Sequence, residues 1–149
     1  MLAKDVGFVI SGLDGVPVDV EVDVNAGLYS FDIVGLPDAA VKESKERVRS
    51  AVKNSGRKFP NHKITVNLAP AELKKEGAML DLPIAVAVVK STGELGAADI
   101  GRAVMLGELS LDGSIRAVNG ILPILISAKQ RGYKEGIIPY ANAKEGGFI

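Results

Sequence analysis

The sequence contains one strictly alternating stretch, Val16-Pro17-Val18-Asp19-Val20-Glu21-Val22-Asp23-Val24. Successive side chains of a β-strand point to opposite faces, so this stretch would place its valines on one face and mostly acidic residues on the other. The pattern is typical of an antiparallel strand with one buried and one solvated face. The stretch decides the fold class, because other segments of the chain must cover the valine face.

Strand-like segments flank this stretch on both sides. Val6 to Ile10 precedes it, across the turn Gly12-Leu13-Asp14-Gly15. After the turn Asn25-Ala26-Gly27, apolar and polar residues alternate again from Tyr29 to Ile33. We therefore expect a three-stranded meander over the N-terminal third of the chain.

A helical pattern begins at Pro37-Asp38 and runs to about Asn54. Its apolar side chains fall on one stripe, and charged residues, Arg47 among them, cover the rest of the helix surface. Gly56 follows the last apolar position, where a residue in the left-handed region commonly ends a helix. Ile64 to Leu68 then alternates as a short strand.

The C-terminal half predicts further helices and a hairpin. Leu82 to about Ser91 is apolar nearly all round, so this helix must be central, and Asp81 is placed to cap it. Asp112-Gly113 is a hairpin signal between the strand-like segments Val104 to Leu111 and Ser114 to Val118. The remaining predicted elements are a helix over Ile121 to Arg131, a short strand over Ile137 to Pro139 and the start of a helix over Ala141 to Glu145. Together the elements predict an α+β fold, a mixed sheet packed with about three helices.

The composition excludes several classes of protein. Of the 149 residues, 47% are hydrophobic, which indicates a globular chain of one domain. Lysine plus arginine and aspartate plus glutamate both number 18, so any DNA contact must come from a local patch. Cysteine is absent and His62 is the single histidine, which removes the usual zinc constellations and suits a cytoplasmic protein. No apolar run is long enough to cross a bilayer, so no membrane contact is expected.

The acidic row Asp19, Glu21 and Asp23 has the composition of a cation site. Its spacing spreads the carboxylates along one strand face, about 7 Å apart. A hard cation needs ligands that converge from several directions. We therefore predict a solvated sheet face and no metal site.

A basic stripe on the first predicted helix is the candidate binding surface. Lys42, Lys45, Arg49 and Lys53 lie along one side of the helix, as phosphate recognition would need. Acidic residues interleave with them, and an ordinary solvated helix face has the same appearance. A contact between subunits is a third interpretation of this corner.

Three stretches in order resemble the N-terminal domain of the YifB/ComM family, also called magnesium-chelatase-related proteins. They are Phe31-Asp32-Ile33-Val34-Gly35-Leu36-Pro37-Asp38-Ala39-Ala40-Val41-Lys42-Glu43-Ser44, Ile64-Thr65-Val66-Asn67-Leu68-Ala69-Pro70-Ala71 continuing to Lys75-Glu76-Gly77 and Asp81-Leu82-Pro83-Ile84-Ala85, and Gly107-Glu108-Leu109-Ser110-Leu111-Asp112-Gly113. The resemblance implies that residues 1–149 are a single N-terminal domain that ends before an AAA+ ATPase module. It further implies that the full-length protein is a cytoplasmic hexameric helicase, which drives branch migration of DNA during natural transformation. ATP and Mg²⁺ would bind that module, and this chain would hold no cofactor.

The same resemblance extends to the proteolytic domain of Lon, which has the ribosomal-protein-S5-domain-2-like fold. Lon carries a catalytic serine and a catalytic lysine in two short motifs. The aligned segments here are Glu76-Gly77-Ala78-Met79-Leu80-Asp81 and Asn119-Gly120-Ile121-Leu122, so Met79 and Leu122 occupy the two catalytic positions. A thioether and an alkyl side chain can supply neither nucleophile nor base, which predicts that the chain is not a protease.

Two functions stay open from the sequence. The first is a non-catalytic accessory domain of a DNA-remodelling AAA+ ATPase, which contributes to assembly or to DNA contact. The second is a degenerate peptidase-like domain that binds protein segments along an exposed strand edge. The sequence has no G-x-x-x-x-G-K-[ST] and no G-x-G-x-x-G, so a kinase of the same fold class is excluded and the chain itself should not hydrolyse nucleotide.

Overall fold

The computed structural model describes residues 2–93 and 103–143, and two long strands dominate it. β1 (Leu2–Ser11) and β2 (Asp14–Asn25) form an antiparallel hairpin, with Ser11 opposite Asp14 at its turn. Val18, Val20 and Val22 are fully buried on one face of β2. The valine face is therefore confirmed as the core side of the sheet.

Four shorter strands complete the main sheet. They are β3 (Ser30–Val34), β4 (Lys63–Ala69), β5 (Val104–Met105) and, after the hairpin strands β6 (Glu108–Leu109) and β7 (Ile115–Arg116), β8 (Gly136–Ile137). The order across the sheet is β3-β4-β2-β1-β5-β8. Both parallel and antiparallel neighbours occur, which confirms the mixed sheet.

The predicted meander is wrong in one respect. β3 does not pair with β2, because β4 lies between them, antiparallel to β2 and parallel to β3. Parallel neighbours need a crossover connection, and the helical segment between β3 and β4 supplies it. Alternation predicts that a segment is a strand and which face it buries, but it does not predict its neighbour.

The crossover is two helices where the sequence predicts one. α1 (Ala39–Lys42) is capped by Asp38, whose side chain accepts a hydrogen bond from the Val41 N–H at 2.8 Å. α2 (Ser44–Asn54) begins after Glu43 and ends at Ser55. Gly56 then takes a φ of +80°, as its position after the last apolar residue predicts.

Two helices of the second half cover opposite faces of the sheet. α3 (Asp81–Ser91) packs with α2 against the face that carries Val9 and Val20, and α4 (Ile121–Gln130) packs against the face that carries Phe8. α3 is buried nearly all round, as predicted. The predicted capping role of Asp81 is wrong: Leu80 is the capping residue and Asp81 is the first residue of α3.

The hairpin at Asp112-Gly113 is confirmed, and its strands are shorter than the alternation predicts. β6 and β7 pair antiparallel around the turn, and the Ser110 N–H donates to the Ser114 carbonyl at 2.9 Å. β5 belongs instead to the main sheet beside β1. At the C-terminal end, Tyr140–Asn142 forms a 3-10 turn. The predicted helix over Ala141 to Glu145 extends outside the described residues.

The face of the sheet opposite α2 and α3 carries the acidic row. Asp19 is exposed, and Glu21 accepts a hydrogen bond from Asn67 Nδ2 at 2.8 Å and pairs with Lys4 at 3.6 Å. These contacts are those of a solvated sheet face. Within residues 2–93 and 103–143, no helix has both the length and the apolar character needed to cross a membrane.

Candidate functional site

The three stretches that carry the family resemblance meet at Asp81, which is fully buried. Its carboxylate accepts hydrogen bonds from Ser44 Oγ at 2.5 Å, from Arg47 Nε at 2.6 Å and from the Leu109 N–H at 3.1 Å. One side chain therefore joins the start of α2, the start of α3 and the β6–β7 hairpin. The three stretches of the resemblance are therefore connected in space by the hydrogen bonds of the Asp81 carboxylate.

Arg47 turns inward, contrary to its predicted place on the surface of the helix. Its Nη2 donates to the Ala40 carbonyl at 2.7 Å, and the hydrogen bond to Asp81 raises the pKa of the guanidinium. The predicted i,i+4 neighbour Glu43 lies 3.9 Å from Nη1 and is largely exposed. Arg47 belongs to the buried hydrogen-bond network around Asp81 and not to the basic stripe.

A second set of hydrogen bonds connects the segment before α1 to the segment before α3. Asp38 accepts from the Gly77 N–H at 3.1 Å in addition to capping α1. Lys75 is fully buried, and its ammonium donates to the Pro70 carbonyl, with burial lowering the pKa of the amine. Lys75 therefore serves the backbone and is not available to a ligand.

The two positions that the sequence predicts to be Lon-like carry one packed side chain and one partly exposed side chain. Met79 is half-buried against the α4-side cluster, which contains Ile121. Its carbonyl accepts a hydrogen bond from the Gly107 N–H at 3.0 Å. Leu122 lies in the first turn of α4 and is 38% exposed.

Two residues of the basic stripe, Lys42 and Lys45, lie beside β3, which is an outer strand of the main sheet within residues 2–93 and 103–143. Lys42 and Lys45 line a depression of about 460 Å³ together with Lys63, the first residue of β4. Asp32 contributes one carboxylate to the same lining. The depression thus holds three ammonium groups and one carboxylate, which gives it a local positive charge in a chain of zero net charge.

Arg49, the third residue of the basic stripe, lies near the start of β3. Its guanidinium carbon lies 4.9 Å from the centroid of the Tyr29 ring, a cation–π contact. Tyr29 in turn leans on Phe59, with ring centroids 6.4 Å apart, and Phe59 packs on the buried Phe31 at 5.7 Å. An aromatic ladder therefore leads from the core to the surface beside the lysines.

Lys53, the fourth predicted residue, is exposed in the last turn of α2. It does not line the depression of Lys42 and Lys45. Sequence reasoning missed Lys63, which reaches this edge because Lys63 pairs with Ser30, and Tyr29, which reaches it through its contact with Arg49 of α2. We define the basic edge as Lys42, Lys45, Arg49, Lys63 and Tyr29.

Two further depressions gather mostly apolar side chains. One, of about 530 Å³, lies between the end of α4 and β8, with Leu125, Tyr133 and Ile138 in its lining. The other, of about 330 Å³, lies between α2, α3 and the β6–β7 hairpin, with Leu82 and Val86 in its lining. Neither contains a residue of the predicted stripe.

The chain is similar to a known protein family and to proteins of two bacteria. A family model described as subunit ChlI of Mg-chelatase matches residues 20–142. The chain is 44% identical over 138 residues to the YifB protein of Salmonella typhimurium and 41% identical over 138 residues to the competence protein ComM of Haemophilus influenzae. These alignments cover 93% of this chain and 27% of each relative. The chain thus spans less than a third of the length of the curated relatives it matches.

A weaker likeness connects the chain to Lon proteases. It is 29% identical over 101 residues to Lon protease 2 of Bacillus subtilis, which covers 68% of this chain and 18% of that protein. The likeness agrees with the mixed sheet and helices of the Lon-like, ribosomal-protein-S5-domain-2-like fold that the sequence predicts.

Proposed function

This chain belongs to the family described as subunit ChlI of Mg-chelatase, and we propose that it is a non-catalytic accessory domain that contacts DNA in an ATP-driven protein similar to ComM. The full-length protein would carry an AAA+ module after this domain, act in the cytoplasm as a hexamer and drive branch migration of DNA during natural transformation. The relative ComM is a competence protein, which supports the connection to DNA. ATP and Mg²⁺ would bind the AAA+ module.

The basic edge is the observation that carries the proposed DNA contact. Lys42, Lys45 and Lys63 converge from α1, α2 and β4 on one depression, which a solvated helix face alone would not produce. Lysine ammonium groups bind phosphate as point charges, and release of counterions from DNA supplies the affinity. The local charge allows this contact despite the zero net charge of the chain.

The Lon-like positions support a role without catalysis. Met79 and Leu122 offer no nucleophile and no base, and both side chains serve packing or face solvent. We infer that the fold is retained as a scaffold for binding.

Binding of DNA to this chain tests the proposal. Fluorescence anisotropy would follow labelled branched and single-stranded DNA at low and near-physiological salt, with wild type beside Lys42→Gln/Lys45→Gln. We expect salt-dependent binding, and the double variant should flatten the plot of log K against log salt by roughly one unit per lysine. Arg131→Gln/Lys134→Gln is the matched control, because both residues are exposed and follow α4, away from α2.

The measurement has two contrary outcomes. Absence of binding at low salt would reject DNA contact by this domain and leave assembly as its role. Equal losses in both double variants would show that total charge, and not the basic edge, controls binding.

A protein-binding regulatory module is the second candidate. The likeness to Lon protease 2 favours it, and so does the outer side of β3, which pairs with no other strand among the residues that the structure describes, because such an edge can accept an extended peptide as an added strand. A peptide partner would bind with little dependence on Lys42 and Lys45 and with strong dependence on the backbone of β3. Binding of extended peptides to wild type and to Lys42→Gln/Lys45→Gln would separate the two candidates, because equal peptide binding by both would favour the protein-binding module.

A further inference from the structure

We propose, building on the DNA contact proposed above, that Arg49 and Tyr29 form a stacking site for an unpaired base, so that the basic edge prefers single-stranded DNA to duplex. The occupant is a single DNA strand whose phosphates lie along the lysines while one base reaches the guanidinium and the ring. The proposal depends on the position of the aromatic ladder relative to Lys42 and Lys45.

The first support is the geometry of Arg49. Its guanidinium carbon lies over the Tyr29 ring, 4.9 Å from the ring centroid, so a planar cation and an aromatic ring stand side by side here. Nucleobases stack both on arginine planes and on aromatic rings, and 38% of the Tyr29 surface is exposed beside Arg49. Arg49 is half-buried, so its long side chain is already restricted and loses less conformational entropy when a ligand binds.

The second support is that the Tyr29 ring is held in place by other aromatic rings. Tyr29 contacts Phe59, and Phe59 contacts Phe31, which is 7% exposed and part of the core on the α2 and α3 side. Tyr29 itself remains 38% exposed. A ring that is supported from below and open at the surface can bind a ligand without losing much side-chain freedom.

The third support is the order of groups along the edge of β3. Arg49 and Tyr29 lie at the start of the strand, and Lys42 and Lys45 lie beside Asp32 to Val34 at its end. A backbone that follows β3 would meet ammonium groups at one end and the stacking pair at the other. Proteins that bind single strands without sequence preference combine these two elements, a positive groove and aromatic platforms.

A duplex would use only part of this surface. Its bases are paired and stacked on one another, so its phosphates would meet the lysines while the platform stayed empty. Stacking of one base on an aromatic platform is worth roughly tenfold in affinity or more. We therefore expect a single strand to bind roughly tenfold more tightly than a duplex.

Three probes of equal length separate base from phosphate: labelled 20-residue oligothymidylate, the same oligonucleotide with abasic positions throughout, and a 20-base-pair duplex. We expect wild type to bind oligothymidylate roughly tenfold more tightly than the abasic strand. Tyr29→Leu and Arg49→Lys should each remove most of that difference, and Tyr29→Phe should retain it. Arg49→Lys keeps the charge, so its effect reports the planar group alone.

Each outcome decides one of the two proposals. Equal binding of the oligothymidylate and abasic strands, with both still dependent on Lys42 and Lys45, would reject the stacking site and keep the DNA contact. Failure of all three probes to bind would reject the DNA contact itself. Full displacement of oligothymidylate by polyglutamate at equal charge would show that the edge recognises an acidic peptide as well as DNA, and would overturn the preference for bases. Thermal unfolding of each variant confirms that it is folded, and Arg49→Lys keeps the test valid if Tyr29→Leu is not.

Discussion

Arg47 Nε lies 2.6 Å from Asp81 Oδ2, although the two residues are 34 positions apart and Arg47 belongs to a helix with many exposed charges. The pair joins α2 to α3 beneath the β6–β7 hairpin. Asp81 is fully buried, so its charge is balanced by this guanidinium, by the Ser44 hydroxyl and by one backbone N–H. A buried charge without such partners would be strongly destabilising.

Removal of the carboxylate should therefore destabilise the chain severely. We expect Asp81→Ala to lower the free energy of unfolding by about 3–5 kcal/mol, because the Arg47 guanidinium and the Leu109 N–H lose their acceptor. Urea denaturation followed by circular dichroism measures this. Glu43→Ala removes the exposed neighbour of Arg47 and should change the stability by less than about 0.5 kcal/mol. Similar values for the two variants would contradict a structural role of the buried pair.

Asp5 predicts how stability depends on pH. Both carboxylate oxygens are buried on β1 and have no hydrogen-bond partner among the described residues, and burial raises the pKa of this group to about 8 against the opposing charge of Lys90. The folded chain thus holds this proton to a higher pH than the unfolded chain does. Stability from this group is present at acidic pH and is lost as the pH rises toward 8.

Asp5→Asn should remove this pH dependence. We expect the free energy of unfolding of wild type to fall by a few kcal/mol between about pH 5 and pH 9, and that of the variant to stay flatter. Urea denaturation across this range is the measurement. Lys90→Met should extend the decline to higher pH, because it removes the charge that favours the ionised carboxylate and so lets the pKa of Asp5 rise further. Parallel curves for wild type and Asp5→Asn would show that Asp5 does not titrate in this range.

Gly35 should tolerate no side chain. Its φ is +109°, and a Cβ there would lie 2.1 Å from the Leu68 carbonyl oxygen on the neighbouring strand β4. We expect Gly35→Ala to cost about 4 kcal/mol or more, since backbone atoms cannot move aside. Gly56→Ala, with a φ of +80° and open space around it, should cost only about 1–2 kcal/mol. Thermal unfolding of both variants checks the difference.

Peptide hydrolysis should be absent from this chain. The sequence alignment with the Lon motifs predicts that Met79 and Leu122 stand at the serine and lysine positions, so we expect no cleavage of fluorogenic peptides above a buffer blank. A fluorophosphonate probe should label no serine, with an active Lon protease assayed beside it. Labelling of any serine would show that a nucleophile has been retained elsewhere in the fold.

The fold could be predicted from the sequence wherever one segment decides the outcome. The buried valines of β2, the central position of α3 and the turn at Asp112-Gly113 follow from local pattern and are all present. The neighbour of β3 could not be predicted, because a parallel pair depends on a crossover and not on alternation.

The candidate site shows the same division. Helical spacing is sufficient to place Lys42, Lys45 and Arg49 on one side, and the structure keeps them along one edge. Lys63 joins that edge only through the β3–β4 pairing, and Tyr29 joins it through its contact with Arg49. Arg47 has the same local sequence signal as its neighbours, and only its distant partner Asp81 turns it inward. Functional contribution of these residues stays a prediction until binding is measured.

The insertion of β4 between β2 and β3 has a consequence for synthesis of the chain. Until β4 leaves the ribosome, β2 and β3 each have an unpaired edge, and the valine face has no complete cover. The first 60 or so residues therefore cannot fold as a stable unit during translation, and a fragment that ends before Lys63 should aggregate or stay unfolded. A separate peptide carrying β4 should not be enough to restore the fold of such a fragment, because α3, which packs with α2 on the valine face, is made later still.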